Sequence, residues 1–290
     1  MSKRIVAAAL MAAALLAGCG DDKNDAPATD ARGLPSPIRI ATEGAYPPFN
    51  YFDPSGKVIG LDIDIVEEMC RRLEAKCEIT PQNWDGIIPG LQAGKYDAII
   101  AGMSITDERR QAVAFTQGYA TTPGYFVTLK DNPLQQVVIE PPRLNLNEID
   151  PAEQAALDKL KTALKGKTVG VQQATIHANF LEKYLGDSVS IRRYDTQENL
   201  ALDLASNRID AGLADIIAWK PFLESQPGQN AKTFGPGLDG DVFGQGMGIA
   251  LRKEDTKLLE AFNGALTAMK QDGTLKRLSE ARAGFDASMP

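Results

Sequence analysis

Two kinds of hydrophobic pattern alternate along the chain from residue 38 onward. Residues 38–41 and 97–101 are short apolar runs with the length and composition of buried strands. Residues 62–73 place apolar side chains at helical spacing behind two aspartates that can cap a helix, and residues 84–94 form a second helical segment that ends at a glycine. Strands that alternate with amphipathic helices predict an α/β fold.

A weak internal repeat predicts that this fold is built twice. Residues 91–102 recur in looser form as residues 204–215, and in both copies a turn leads from a helix end to an Asp-Ala pair, at Asp97 and Asp210, that opens a buried strand. We therefore expect two similar lobes that face each other across a cleft. Ligands of open α/β sheets lie beyond the carboxyl ends of the strands. The corresponding positions here are Glu43, Gly102, Met103, Ser104, Thr175 and Asp215.

The first nineteen residues predict an export signal. Lys3 and Arg4 precede the apolar run Val6–Leu16, which is too short to span a bilayer as a mature helix. The sequence Leu-Ala-Gly-Cys that ends at Cys19 resembles a bacterial lipoprotein box, in which the cysteine becomes the acylated first residue and anchors the protein to a membrane. Ordinary cleavage near Ala17, with an unmodified cysteine, is the alternative. Residues 20–37 are polar, contain proline and predict a flexible tether.

Two cysteines remain once Cys19 is assigned to a lipid. Cys70 and Cys77 lie near the end of a predicted helix and the start of the next strand. An exported protein can form a disulfide between them. Two buried thiols are the alternative.

Composition and charge exclude several classes of protein. The chain is 43% hydrophobic and 24% charged, so it can bury a core. It has 31 basic and 38 acidic residues, and loss of the leader would leave 29 basic residues and a net charge of −9. This balance argues against a nucleic-acid partner, whose phosphates need a basic surface, and fits a small cationic partner. Because His177 is the only histidine, a multi-histidine metal site cannot form. No metal, cofactor or catalytic group is predicted.

Several motifs in order resemble the periplasmic amino-acid-binding proteins of ABC importers, in the branch that takes up basic amino acids and opines. The cysteine pair also has the spacing of this family. The motifs are Glu43–Phe49, Gly60–Asp64, Trp84–Pro89, Ser104–Arg109 and Phe243–Ile249.

The resemblance implies a two-lobed type II periplasmic binding fold, in which each lobe is a mostly parallel sheet flanked by helices. The first lobe would comprise residues 38–121 plus 239–290, and the second residues 122–238. Thr121–Gly124 and Phe234–Leu238 would form the two hinge crossings, because their prolines and glycines fix or permit unusual backbone angles. Residues 132–165 are interpreted as an insertion that opens the second lobe.

The resemblance also assigns partners to the amino-acid backbone of a ligand. Arg109 would clamp the α-carboxylate with its planar guanidinium. Ser104 would add a hydroxyl and a backbone amide, with Gly102 and Met103 beside it, and Thr175 would bind the carboxylate from the other lobe. Asp215 would pair with the α-ammonium, although an N-cap of the following helix is an alternative for it.

Specificity is expected at the other end of the cleft. Tyr46 and Trp84 fall where the family sandwiches the ligand side chain between aromatic faces, and Glu43 can meet a distal cation. This set favours arginine over lysine, ornithine and histidine. Ala101 and Gly102 stand where relatives often carry serine or threonine, so some polar contacts are lost. His177 could contact the ligand or cap a helix.

The resemblance implies an extracytoplasmic monomer that delivers its ligand by hinge closure to an ABC permease. An opine receptor is the nearest alternative, because residues 145–154 look like those of opine receptors, while Ser104 and Asp215 argue against an extra ligand carboxylate. Two further alternatives are a sensor that reports amino acids to a membrane receptor and a dehydratase-like enzyme derived from the same fold.

Overall fold

The polypeptide folds into two lobes that face each other across a cleft. The computed structural model describes residues 28–289. The predicted export signal, Cys19 and residues 20–27 lie outside this range, so the lipid anchor stays a prediction. Within the described range, no helix has the length and apolar character needed to cross a membrane.

Short strands and helices alternate along the chain. In chain order the strands are β1 (Ile38–Thr42), β2 (Ala45–Tyr46), β3 (Asn50–Phe52), β4 (Val58–Ile59), β5 (Cys77–Pro81), β6 (Ala98–Ile99), β7 (Ala114–Phe115), β8 (Gly124–Leu129), β9 (Arg143–Asn145), β10 (Thr168–Gln172), β11 (Ser190–Tyr194), β12 (Ala211–Asp215), β13 (Ala231–Asp239) and β14 (Ala250–Leu251). The α-helices are α1 (Leu61–Arg72), α2 (Ile87–Gln92), α3 (Asp107–Ala112), α4 (Pro151–Leu164), α5 (Ile176–Phe180), α6 (Gln197–Ala205), α7 (Ile216–Glu224), α8 (Thr256–Gln271) and α9 (Thr274–Ala283).

Each lobe has one main sheet with buried apolar side chains on both faces. The sheet of the first lobe has the order β5-β1-β6-β14-β7, and that of the second lobe has the order β11-β10-β12-β8-β13-β9. A small sheet, β2-β3-β4, lies beside the first. The α/β class and the two-lobed arrangement agree with the sequence-based prediction.

The two main sheets are mixed: five of their nine strand pairs are parallel and four are antiparallel. Strand β1 runs parallel to β5 and β6, and β10 runs parallel to β11 and β12, as βαβ units require. However, β14 is antiparallel to both of its neighbours, and so is β8. These strands adjoin the crossings between the lobes, so they enter their sheets without a crossover helix and are free to run in the opposite direction.

The internal repeat has a structural counterpart in two aspartates. The Asp97 carboxylate accepts a hydrogen bond from the backbone N–H of Arg39 at 2.9 Å, and the Asp210 carboxylate accepts one from that of Thr168 at 2.8 Å. In each lobe the aspartate therefore fixes the start of a central strand against the strand beside it. The two sheets use the same device because the same local sequence builds both.

Helix α1 begins differently from the prediction. Gly60 is its N-cap residue, and no side chain caps it. Asp62 is instead buried and accepts hydrogen bonds from Asn50 at 2.8 Å and Tyr119 at 2.7 Å, while burial raises its pKa to about 6. Asp64 forms an ion pair with Arg282. The two aspartates therefore bind side chains of neighbouring segments and do not cap the backbone N–H groups at the start of the helix.

The described part of the predicted tether is packed against the first lobe. Leu34 is only 4% exposed and belongs to the main core of that lobe. Asp30 accepts hydrogen bonds from the backbone N–H groups of Arg32 and Leu34, both at 2.9 Å, and Arg32 also donates to the carbonyl of Leu73. Residues 28–37 therefore differ from the flexible segment that their composition predicted, since one buried leucine and one aspartate-centred turn suffice to dock them.

The two segments predicted as crossings have different surroundings in the structure. The backbone N–H of Thr121 bonds to Ala287 in the first lobe at 2.9 Å, and the Thr122 hydroxyl donates to Asp215 in the second at 3.1 Å. The predicted return crossing, Phe234–Leu238, instead lies inside β13, where the register shifts beside Gly235 at φ +70°. The chain remains in the second sheet until Asp239.

Cys70 and Cys77 form the predicted disulfide, with a Cα–Cα distance of 6.3 Å. We expect the Cys70→Ala/Cys77→Ala double variant to lose about 2–3 kcal/mol of unfolding free energy, because the bond closes a short loop. Neither residue lines the cleft, so ligand affinity should stay at the wild-type value. Denaturant unfolding and calorimetry measure the two quantities, and a weakened affinity would contradict a purely stabilising role.

Candidate functional site

A cavity lies between the lobes, at the carboxyl ends of β1, β6, β10 and β12. Both lobes contribute to its wall. The lining residues are Glu43, Tyr46, Trp84, Ala101, Gly102, Ser104 and Arg109 from the first lobe, and Gln172, Thr175, Ile176, His177, Gln197, Leu213 and Asp215 from the second.

Arg109 forms the positive end of this cavity. It follows the N-cap of the short helix α3, where the Thr106 hydroxyl accepts a hydrogen bond from the Arg109 backbone N–H at 3.2 Å. Its guanidinium donates to the carbonyl of Ser104 at 3.0 Å and, across the cleft, to that of Ala174 at 3.2 Å. Loss of hydration lowers the pKa of Arg109 to about 10, so the side chain is still charged at neutral pH.

Asp215 lies at the end of β12 and is 3% exposed. The Tyr46 hydroxyl donates to one carboxylate oxygen at 2.8 Å from the opposite lobe, and the Thr122 hydroxyl donates to the other at 3.1 Å. Its side chain makes no capping hydrogen bond to α7, which excludes the helix-cap alternative for this residue. Burial raises the pKa of Asp215, while the nearby His177 and these hydroxyl donors act in the opposite direction.

Glu43 occupies a third position in the wall, directly after β1. Gln172 donates to its carboxylate at 2.6 Å from the second lobe. Burial raises the pKa of Glu43 to about 7, and repulsion from Asp85 and Asp195 adds to the effect. A carboxylate in this position gains from a cation that replaces its lost hydration.

These three side chains give the cavity a definite charge pattern. Arg109 supplies one positive charge, and Asp215 and an ionised Glu43 supply one negative charge each. The wall therefore has a net charge of −1 from these groups. A guest that pairs with all of them has one anionic and two cationic groups.

The helix-cap role that the sequence left open for His177 belongs to Thr175. The Thr175 hydroxyl caps α5 by accepting from the Ala178 backbone N–H at 3.3 Å, and it donates to the Gln172 carbonyl at 2.7 Å. His177 is therefore not the cap. Its Nε2 atom is buried 3.9 Å from an Asp215 oxygen and has no hydrogen-bonding protein partner within residues 28–289. Burial lowers the pKa of His177, which favours the neutral imidazole.

Trp84 and Tyr46 both line the cavity, and each ring already contacts a protein side chain on one face. The Arg109 guanidinium lies 5.3 Å from the centre of the Trp84 ring, and Trp84 donates to the Ala174 carbonyl at 3.2 Å. Tyr46 stacks on Phe49 with 5.6 Å between ring centres. Beside it, a Cβ at Gly102 would lie 3.3 Å from the Tyr46 ring, and φ is +58° there. The absence of serine at this position thus has a steric reason.

Sequence reasoning misplaced one residue and missed others. Met103 does not line the cavity; it is fully buried in the core of the first lobe. Gln172, Gln197 and Leu213 line it without having been predicted. Gln172 ends β10, so the strand-end argument could have found it. Gln197 begins α6 after the Thr196 cap and carries no comparable signal in the sequence.

The site lacks the features of a metal centre. Across residues 28–289, no group of three or more His, Cys, Asp and Glu side chains is placed to hold a metal ion. The lining residues offer hydrogen bonds and charge pairs to an organic guest.

Comparison with known proteins places this cavity in a family context. The profile of the bacterial extracellular solute-binding proteins, family 3, matches residues 38–282. An octopine-binding periplasmic protein of Rhizobium meliloti is 37% identical over 260 residues, which cover 83% of this chain and 88% of that protein. An L-arginine-binding protein of Pseudomonas aeruginosa is 35% identical over 253 residues, covering 86% of this chain and 89% of that protein.

A solved structure shows the same two-lobed architecture. An ancestral arginine-binding protein bound to arginine superposes with a TM-score of 0.71 at 32% identity, covering 84% of this chain and 97% of the other. Sequence profile, relatives and fold agree over nearly the whole described range, and the chain belongs to family 3 of the bacterial extracellular solute-binding proteins.

Proposed function

We propose that this protein captures a basic amino acid, with L-arginine preferred, by closing its lobes around it, and that it delivers the ligand to an ABC permease. The charge pattern of the cavity is the observation that carries this proposal. Arginine presents one carboxylate and two cations, and the wall offers Arg109, Asp215 and Glu43 as their partners. Each buried charge then has a counter-charge, which a closed cleft requires.

Closure is favoured because both lobes supply polar groups to the same cavity. Arg109 of the first lobe and Thr175 of the second would share the α-carboxylate, while Asp215 of the second lobe would hold the α-ammonium beside Ser104 of the first. Glu43 would meet the guanidinium. A ligand stabilises the closed state by its differential contacts with that state, and contacts from both lobes exist only when the cleft is closed.

The relatives bind ligands of this class. Their names specify octopine and L-arginine, and the superposed ancestral protein was solved with arginine. Arginine is favoured over octopine here because octopine adds a second carboxylate. The second carboxylate would have no cationic partner in the wall, because Arg109 is assigned to the first one and burial favours the neutral form of His177.

A calorimetric panel of arginine, lysine, ornithine, histidine and octopine tests the proposal. We expect arginine to bind most tightly and octopine to bind more weakly than arginine. Tight binding of octopine with weak binding of every basic amino acid would contradict the assignment and favour an opine receptor. Failure of all five ligands to bind would refute the proposed function as a whole.

Ligand binding should release protons near pH 6. Burial raises the pKa of Glu43 to about 7 in the closed cleft, and a bound guanidinium lowers it again. Binding is therefore favoured by ionised Glu43, and arginine affinity should fall as the pH drops below about 7. Calorimetry at about pH 6 in buffers of different ionisation enthalpy measures the released protons.

The Glu43→Gln variant is the control for this effect, because it cannot release a proton at that position. Its binding enthalpy should depend less on the buffer than that of the wild type. Identical enthalpies in all buffers for the wild-type protein, together with an affinity that does not change below neutral pH, would contradict a protonated Glu43 in the closed cleft.

The family relatives are binding proteins, and we extend this to the chain itself: it binds its ligand without converting it. Glu43 and Asp215, which could act as acids, each accept a hydrogen bond across the cleft and are assigned to ligand cations. Arginine incubated with the purified protein should give an unchanged NMR spectrum. Appearance of a product at catalytic protein concentration would show an enzyme.

The proposal places the protein outside the cytoplasm, as the name of the family indicates, with Cys19 as its lipid anchor. The full-length wild-type protein is then expected in the membrane fraction, and Cys19→Ser should move it to the soluble extracytoplasmic fraction. Equal distribution of both forms would argue for ordinary cleavage near Ala17. This experiment also separates the anchor from ligand binding, which neither form should lose.

A further inference from the structure

We infer that Gln197 is a second acceptor for the distal guanidinium of the ligand and that it sets the preference for arginine over lysine. The inference rests on the proposed function, since it assumes a basic amino acid in the cavity. It assigns a specificity role to a residue that none of the sequence motifs contains.

The first observation is that Gln197 has an unsatisfied amide. The residue is 4% exposed, and neither its Oε1 nor its Nε2 atom has a hydrogen-bonding protein partner within residues 28–289. Native proteins rarely leave a buried polar side chain in this state, because the lost hydration is not replaced. Among the described residues, Gln197 alone has both polar side-chain atoms in this condition.

The second observation is the position of this amide in the cavity wall. Gln197 is the first residue of α6, but Thr196 caps that helix by accepting from the Asn199 backbone N–H at 3.2 Å. The glutamine side chain is therefore not needed to cap the N-terminus of the helix. It lines the cavity instead, and α6 contacts β2, the strand that carries Tyr46.

Gln172 connects this segment to Glu43. Its amide nitrogen donates to the Glu43 carboxylate at 2.6 Å and to the Asp195 carbonyl at 3.1 Å, two residues before Gln197. Gln197 thus lies on the second-lobe side of the cavity end that Glu43 closes from the first lobe. Because Glu43 and Gln197 line the same cavity, we infer that a cation held by Glu43 reaches the Gln197 amide.

The chemistry of the two candidate cations gives this arrangement its selectivity. A guanidinium carries five N–H donors in a rigid plane, while an ammonium is compact and carries three. Glu43, which already accepts from Gln172, cannot satisfy all five donors. The Gln197 oxygen offers a neutral acceptor from the opposite lobe. A guanidinium would therefore be held from both lobes, and a lysine ammonium would be held mainly by Glu43.

The decisive variant is Gln197→Met, which removes the amide and keeps the volume of the side chain. Calorimetry should show arginine weakened by about tenfold or more, as expected for a hydrogen bond to a charged group, while lysine changes by less than about threefold. Gln154→Met, on the exposed face of α4, is the matched control and should leave both affinities unchanged.

The arginine-to-lysine affinity ratio decides the inference. An unchanged ratio overturns it, whether both affinities fall together or neither moves. Gln197→Glu, which retains an acceptor oxygen, should keep the preference for arginine, and its loss in this variant would also count against the assignment. If the wild-type protein itself does not bind arginine, the proposed function has failed instead.

Thermal unfolding of the ligand-free variants separates a binding role from a structural one. Replacing an unsatisfied buried amide by an apolar side chain should leave the stability of Gln197→Met equal to or above that of the wild type. Weakened arginine binding in a protein of undiminished stability is the result that the inference requires. A less stable variant with equal losses for both ligands would show that Gln197 only supports the fold.

Discussion

Replacing Arg109 by methionine is expected to abolish measurable binding of every amino-acid ligand. All such ligands carry an α-carboxylate, and this guanidinium supplies the positive charge in the cavity wall that meets it. Removing one partner of a buried charge pair costs roughly 2–5 kcal/mol, which weakens binding at least about thirtyfold. The cross-lobe hydrogen bond to Ala174 is lost as well, so closure itself becomes less favourable.

Arg110 offers a matched control for this experiment. It is the next residue in α3, is exposed, and donates to Gln245 at 3.3 Å outside the cavity. Arg110→Met should bind arginine as the wild type does. Wild-type affinity in Arg109→Met, measured by calorimetry, would mean that the ligand carboxylate is held elsewhere and that the orientation proposed for the ligand is wrong.

Replacing Glu43 by glutamine is expected to lower the affinity for arginine and lysine. The affinity for a neutral amino acid such as glutamine should change little. The carboxylate is the only charged group assigned to the distal cation, and it is half-buried beside Gln172. The loss for the cationic ligands should again be roughly 2–5 kcal/mol. The neutral ligand places no charge at this end, so its affinity should stay nearly constant.

Glu67, which is exposed on α1 and lies outside the cavity, is the matched control as Glu67→Gln. Calorimetry with arginine, lysine and glutamine on the three proteins gives the comparison. An equal loss for all three ligands in Glu43→Gln would show that Glu43 supports closure rather than charge recognition. Unchanged arginine affinity would remove Glu43 from the site.

The sequence predicted the parts of this molecule that local rules control. Asp97 and Asp210 open equivalent strands because the same short pattern precedes both, and each binds a neighbouring backbone N–H. Thr175 and Asp215 line one cavity because the parallel strands β10 and β12 end at the same edge of their sheet, and Glu43 follows β1 at the facing edge of the other sheet. Arg109 and Trp84 could be placed there only by resemblance to a family, since neither follows a strand directly.

The remaining features depend on contacts between distant segments. Composition predicted a flexible tether, but the Leu34 side chain packs in the core of the first lobe. The antiparallel strand β14 reaches its sheet only after the chain has returned from the second lobe. Gln197 meets the cavity because α6 of one lobe contacts β2 of the other, and no periodicity along the chain encodes that approach.

A crystal structure of the protein grown with arginine tests the central claim most directly. The claim predicts arginine enclosed between the lobes, with its carboxylate at Arg109, its α-ammonium at Asp215 and its guanidinium at Glu43. Arginine bound in the reverse orientation, or bound outside this cavity, would contradict it.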